Sequence, residues 1–337
     1  MSRGVGDMAI GKTTMVGMNG TSPRPHLRLR VAALGIAAAL AWSGMSAAVF
    51  AAAPHQTTFA SPEEAADALV AAVRANKTAD LQKILGPSGR KLIFSGDRVA
   101  DKQARDRFAA AYDKGHAIEK PSDATATLVV GEEKWPVPLP IVKDGDAWRF
   151  DTKAGAEEIL NRRIGRNELN AMQVCGAIVD AEREYASVDR DANGHLEYAS
   201  KFRSSRGKHD GLYWTAATGE QESPIGPLLA RARAEGYFVG EGKQDKRSPY
   251  HGYYYKILKR QGKDAPGGAY SYVVNGHMIG GFAVIAFPAT YGDSGVMTFM
   301  ADKDGVLYQK NLGPRTREIA GAIAAFNPDS SWKKVQP

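Results

Sequence analysis

The residues with the most chemistry to offer lie between Asp189 and Glu197. Asp189, Asp191 and Asn193 place side-chain oxygens at every second position, and Gly194 follows them. Alternate oxygens on a loop that turns sharply at a glycine converge on one point, the arrangement that wraps a hard cation such as Ca2+. The backbone carbonyl of His195 supplies the next ligand in that pattern, and Glu197 completes the shell directly or through water. The full calcium loop ends in a bidentate Glu, and Ser200 stands there instead. An EF-hand proper is therefore excluded, and calcium binding here belongs to the weak, extracellular class. The competing reading of the same letters is an Asx-rich turn after a helix.

Three further patterns invite chemistry. Residues 6–13 (GDMAIGKT) match the phosphate loop G-x-x-x-x-G-K-[ST] letter for letter. That loop works between a buried strand and a helix whose N-terminal amides cradle phosphate; here no strand pattern precedes it, so we reject it. Gly292-Asp293-Ser294-Gly295 is the tetrapeptide around the nucleophile of chymotrypsin-like proteases, which needs a His base, an orienting carboxylate and an oxyanion hole. His209, His251 and His277 precede it but not in that setting, and a tight turn between two strands explains the same letters. The tyrosines at 250, 253, 254, 255, 270, 272 and 291 line either a groove for sugar or peptide or an ordinary half-buried sheet. Lys256, Lys259, Arg260 and Lys263, interleaved with them, read as a solvated face rather than a nucleic-acid site.

The acidic loop needs an element to hold it, and the residues before it supply one. Ala171, Cys175, Ile178 and Tyr185, with Met172 and Val179 beside them, recur at the three-and-four spacing of one helical face. Upstream, Ser61-Pro62-Glu63-Glu64 is a capping signature for a helix striped by Ala65, Leu69, Ala72 and Val73. Short helices are expected at 79–85 and 101–112, and His116 falls in a loop. The period then shortens to β-rich runs at 124–130, 135–142 and 147–150, the pattern of an antiparallel meander, closed by a helix at 152–161. After the acidic loop come a helix at 224–235, strand runs at 253–259, 270–275, 282–287, 296–301 and 306–310, and a last helix at 316–326. Asn275-Gly276 and Asp302-Lys303-Asp304-Gly305 are hairpin turns, so this sheet is antiparallel as well. The fold class is α+β: N-terminal helices plus a meander over 54–163, then a long helix plus a small antiparallel sheet over 164–337, with Gly165 the weak point between them.

Residues 1–53 read as a leader. Arg24, Arg28 and Arg30 precede an apolar run at 31–42, and Val49-Phe50-Ala51 is a small-residue cleavage site. The run is too short to span a bilayer, so the product is expected to be periplasmic or secreted, with no membrane span after cleavage. The leader holds five basic residues and one acid of a chain whose net charge is +7, leaving +3 for the rest. That surplus is too small to argue for nucleic acid. At 337 residues, 43% hydrophobic and 24% charged, the composition is that of a globular protein of about two domains. The single Cys175 lies on the apolar helix face and reads as core.

The runs Gly252-Tyr253-Tyr254-Tyr255, Pro266-Gly267-Gly268-Ala269, Gly280-Gly281-Phe282-Ala283, Tyr291-Gly292-Asp293-Ser294-Gly295-Val296-Met297-Thr298-Phe299 and Asp191-Ala192-Asn193-Gly194 resemble the exported Gram-negative family known as domain of unknown function 2950. The resemblance implies export and no assigned activity or catalytic residue. Helices followed by a curved meander resemble the nuclear-transport-factor-2-like fold, which implies a cone-shaped module. A long helix, an acidic loop and a small sheet resemble the soluble part of type II secretion pseudopilins, although this helix follows a folded module and lacks their apolar N-terminal half. Two function classes stay open. One is a non-catalytic envelope protein that binds a partner or cell-wall component and is stabilised by calcium. The other is a hydrolase of envelope polymers, for which Glu241 or Asp293 are the candidate acids, and two carboxylates across a concave pocket would favour it.

Overall fold

The computed structural model describes residues 56–190, 192–237 and 248–335. The leader, the match at 6–13, Asp191 and Glu241 lie outside the described residues. Helix α1 (Pro62–Arg74) starts where the capping letters put it: Ser61 Oγ accepts from the Glu64 N–H at 3.0 Å, and Glu64 reaches back to the Ala60 N–H at 2.8 Å. Two otherwise orphan donors are satisfied this way. Helices α2 (Thr78–Leu85) and α3 (Arg90–Ile93) follow, and α4 (Arg98–Lys114) begins on the side chain of Asp97. His116 is not in a loop. It opens β1 (His116–Ser122), which pairs antiparallel with β2 (Thr125–Val130). The expected middle strand splits into β3 (Trp135–Pro136) and β4 (Ile141–Asp144), because Pro138 and Pro140 have no N–H to give a ladder. These two pieces take opposite ends of β2, and β5 (Ala147–Phe150) pairs with β4 to complete the sheet.

Helix α5 (Thr152–Tyr185) is a single helix of 34 residues. It runs unbroken through Gly165, the expected weak point, for a physical reason. A helical glycine costs only about 0.5–1 kcal/mol relative to alanine, and α5 is clamped on both sides of it. Arg163 donates to the Lys91 and Leu92 carbonyls at 2.8 and 2.7 Å, and Asn167 Nδ2 donates to the Ser294 carbonyl at 2.9 Å. Near its start the helix lies directly on the Pro138 backbone. A Cβ at Gly155 would stand 1.6 Å from the Pro138 carbonyl oxygen, so only glycine fits that approach.

The C-terminal part comprises α6 (Gly226–Ala234), β6 (Tyr253–Leu258), β7 (Arg260–Gln261), β8 (Tyr270–Ser271), β9 (Ala283–Pro288), β10 (Met297–Asp302), β11 (Leu307–Asn311), α7 (Thr316–Ala322) and β12 (Lys333–Lys334). One antiparallel sheet runs β12-β11-β10-β9-β6, and β7-β8 form a separate ribbon. Every residue of β9 is buried because both α5 and α7 pack on it, which is why AVIAFP reads as a continuous apolar run without alternation. On neighbouring β6 the tyrosines alternate: Tyr253 is fully buried beside Phe299, while Tyr254 packs on Phe287 and under Arg317 of α7. Buried apolar side chains gather separately in residues 59–150 and 171–332. Backbone contacts make Ala52–Pro337 one compact unit. The fold class is α+β, and among the described residues no helix is long and apolar enough to cross a membrane.

Candidate functional site

The acidic loop is fixed at both ends to the end of α5. At its entry, the Arg190 side chain is 3% exposed, lies over the Trp214 ring and donates to the Glu184 carbonyl at 3.0 Å, satisfying a last-turn acceptor of the helix. At its exit, Glu182 Oε2 accepts from the Ala199 N–H at 2.8 Å. Between these anchors the loop folds on its own amides. Asp189 Oδ1 and Oδ2 accept from the N–H groups of Asn193 and Gly194 at 3.1 and 2.9 Å, and Asn193 Oδ1 accepts from His195 N–H at 2.9 Å. Ala192 and Gly194 take left-handed φ values of 56° and 86° to allow it. These are Asx-turn hydrogen bonds.

Of the five expected ligands, Asn193, His195 and Glu197 are brought together, Asp189 is turned onto backbone amides, and Asp191 lies outside the described residues. The structure adds a residue that spacing did not assign to this site. His277 stands on the Asn275-Gly276 turn, paired with Val274, with its Nδ1 3.1 Å from Glu197 Oε1 and its ring centroid 4.3 Å from that of His195. Glu197 Oε2 accepts from the Met278 N–H at 2.9 Å, and Asn193 Nδ2 donates to Oε1. Burial pushes the Glu197 carboxyl up, but the hydrogen bonds from His277, Asn193 and Met278 outweigh it and hold the group below the usual carboxylate range. Among the described residues no three His, Cys, Asp or Glu side chains surround one point.

A second polar cluster lies where α4, α6 and β6 meet. Asp97 is 1% exposed; its Oδ1 caps α4 through the Val99 and Ala100 N–H groups, and its Oδ2 accepts from Tyr237 OH and Gly252 N–H, each at 2.9 Å. His251, in a left-handed conformation with φ 49°, places Nε2 3.2 Å from Glu235 Oε2. Burial drives its imidazole below the usual histidine range, and burial beside Glu235 pushes the Tyr250 phenol up to about 12. His251, Tyr250 and Arg231 face Asn170 and Gln173 of α5 across a cleft of about 70 Å³ whose lining carries no carboxylate.

Asp293, the other candidate acid, is 8% exposed and pairs with Lys91 Nζ at 3.2 Å. Ser294 is fully buried; its hydroxyl donates to the Thr290 carbonyl at 3.1 Å and accepts the Thr290 N–H at 2.9 Å, so GDSG is built as a turn. Of the clustered tyrosines, Tyr253 of β6 and Tyr272 just after β8 are buried, while Tyr270 of β8 is exposed.

These features define an α+β protein whose long helix presents a self-bonded acidic loop against a histidine-bearing hairpin. The chain belongs to the family described as Protein of unknown function (DUF2950), which matches residues 56–335. It matches no curated protein and no solved structure.

Proposed function

We propose that this is an exported, non-catalytic envelope protein that binds a protein partner through the face built by residues 189–198 and 270–279. The observation that carries this reading is an apolar surface around the loop: Leu196 is 61% exposed, Ile279 47%, Val274 44% and Tyr270 41%. The segments that carry Leu196, Val274 and Ile279 are neighbours, because His195 packs on His277, Val274 pairs with His277, and the Tyr198 N–H donates to the Met278 carbonyl. Exposed apolar groups gathered inside a polar rim mark interaction surfaces. The leader letters support export to the periplasm or beyond. In the same reading, residues 54–163 serve as a nuclear-transport-factor-2-like spacer or docking module and residues 164–337 as a pseudopilin-like module.

Expressed with its leader, the full chain is expected in the envelope fraction with its N-terminus, by mass spectrometry, within a few residues of Ala52. Used as bait in envelope extract, it should retain a protein that Leu196→Asp/Ile279→Asp loses at unchanged melting temperature. A chain kept intact from Met1 in the cytoplasm, or retention unaffected by the double substitution, overturns the proposal.

Calcium stabilisation belongs to this reading as a separate claim. An affinity of roughly 0.1–1 mM makes about 10 mM calcium worth roughly 1.4–2.7 kcal/mol, or a rise in Tm of roughly 3–10 °C. The ion has to draw the Asp189 carboxylate away from the Asn193 and Gly194 amides, so the lower end of that range is expected. Thermal melts with calcium against chelator decide it. Asp189→Ala and Asp191→Ala should abolish the rise, and an unchanged curve for the parent reduces the loop to a turn.

A further inference from the structure

The geometry points to a transition-metal site on the same face, a divalent ion such as Zn2+ held by the ring nitrogens of His195 and His277. Glu197 Oε1 lies 3.1 Å from His277 Nδ1. An ionised carboxylate oxygen only accepts, so Nδ1 carries the proton, and in the neutral imidazole Nε2 then presents its lone pair. A carboxylate bonded to the far nitrogen is the arrangement that fixes the tautomer of a metal-ligating imidazole and raises its basicity.

Glu197 is itself immobilised, by the Met278 N–H at 2.9 Å and by Asn193 Nδ2, so it serves as the orienting group. Asn193 Nδ2 also lies 3.4 Å from His277 Nδ1; the shorter contact to the carboxylate is the one that places the proton. The second imidazole is already alongside, its centroid 4.3 Å away and its plane tilted by 50°. Two imidazoles on one ion at roughly 2.0–2.1 Å and a near-tetrahedral angle set their centroids about 5 Å apart. A rotation of the exposed His195 side chain covers the difference. His277 is 31% exposed, so the ion enters from solvent, and water fills the remaining positions.

Imidazole nitrogen selects zinc, copper or nickel over calcium. A zinc site of this kind goes beyond the docking and calcium readings: it shares Glu197 with the calcium set, as an orienting group rather than a ligand, and takes nothing from Asp189, Asp191 or Asn193 Oδ1. Asp189 and Asp191 carry the calcium claim, and His195 and His277 carry this one, so the two fail separately.

The test is calorimetric titration of the full chain with ZnCl2 at neutral pH, alongside NMR of the histidine ring signals. One ion per chain is expected, with ring signals of His195 and His277 shifting together. His195→Ala/His277→Ala should abolish binding. Glu197→Gln should weaken it about 10- to 100-fold, and the ring signals of the unmutated protein report binding even where a variant is unstable. Zinc binding that survives the double substitution, moves with Asp189→Ala, or leaves both ring signals unshifted overturns the site.

Discussion

Replacing Asp97 by alanine is expected to lower stability by about 3–5 kcal/mol, and the melting temperature by roughly 6–15 °C. The carboxylate serves two parts of the chain at once. On one side it caps α4 through the Val99 and Ala100 N–H groups, a role that by itself contributes about 1 kcal/mol. On the other it accepts from Tyr237 OH and from the Gly252 N–H. Both donors are buried, and alanine strands them without water. A buried donor left unpaired costs about 1–3 kcal/mol, which is why removal exceeds the loss of a surface cap. Tyr237 already has its phenol pushed up by burial and by the charge of Asp97. Asp97→Asn keeps an acceptor for the helix cap but offers an amide N–H group where Tyr237 and Gly252 need an oxygen, so about half the loss is expected. Urea denaturation of the three proteins reads this directly. A urea midpoint equal to the parent's for the alanine variant would show that this carboxylate does not hold the junction.

The second large effect depends on pH. Glu182 is fully buried, with one carboxyl oxygen on the Ala199 N–H and Oε1 without a hydrogen bond among the described residues. Burial drives its pKa well above the ordinary 4.5. The folded state thus binds this proton more tightly than the unfolded chain does. The stability it contributes is fully present below 4.5 and is lost as pH rises through the folded-state value. Glu182→Gln keeps an oxygen for the Ala199 amide and cannot ionise. It should match the parent at about pH 4 and exceed it by about 1–3 kcal/mol at pH 8–9. Glu182→Ala removes the acceptor and opens a void, and should lose about 2–4 kcal/mol even in acid. Denaturation curves at several pH values separate the cases. Parallel pH profiles for parent and Gln variant would mean that the carboxyl does not titrate with folding. Since Glu182 holds the exit of the acidic loop, the alanine variant should also loosen the loop–hairpin face.

What the sequence determined by itself is local and periodic. Ser61 and Pro62 start α1 because capping is settled within four residues. The stripe at Ala171, Cys175, Ile178, Val179 and Tyr185 is buried to within 3% exposure, with Met172 beside it half-buried, because helical spacing decides which side chains share a face. Asn275-Gly276 makes its hairpin because its left-handed backbone is a property of those two residues. Tertiary structure decided the rest. Gly165 reads as a boundary, yet Arg163 and Asn167 clamp the helix through it. The alternate oxygens of Asp189 and Asn193 suit a cation in sequence, while in the fold the loop's own amides stand close enough to take them. Asp97 reaches Gly252 across 155 positions and Glu197 reaches His277 across 80. Such pairs leave no trace in spacing or periodicity, since only tertiary packing sets which polar groups meet.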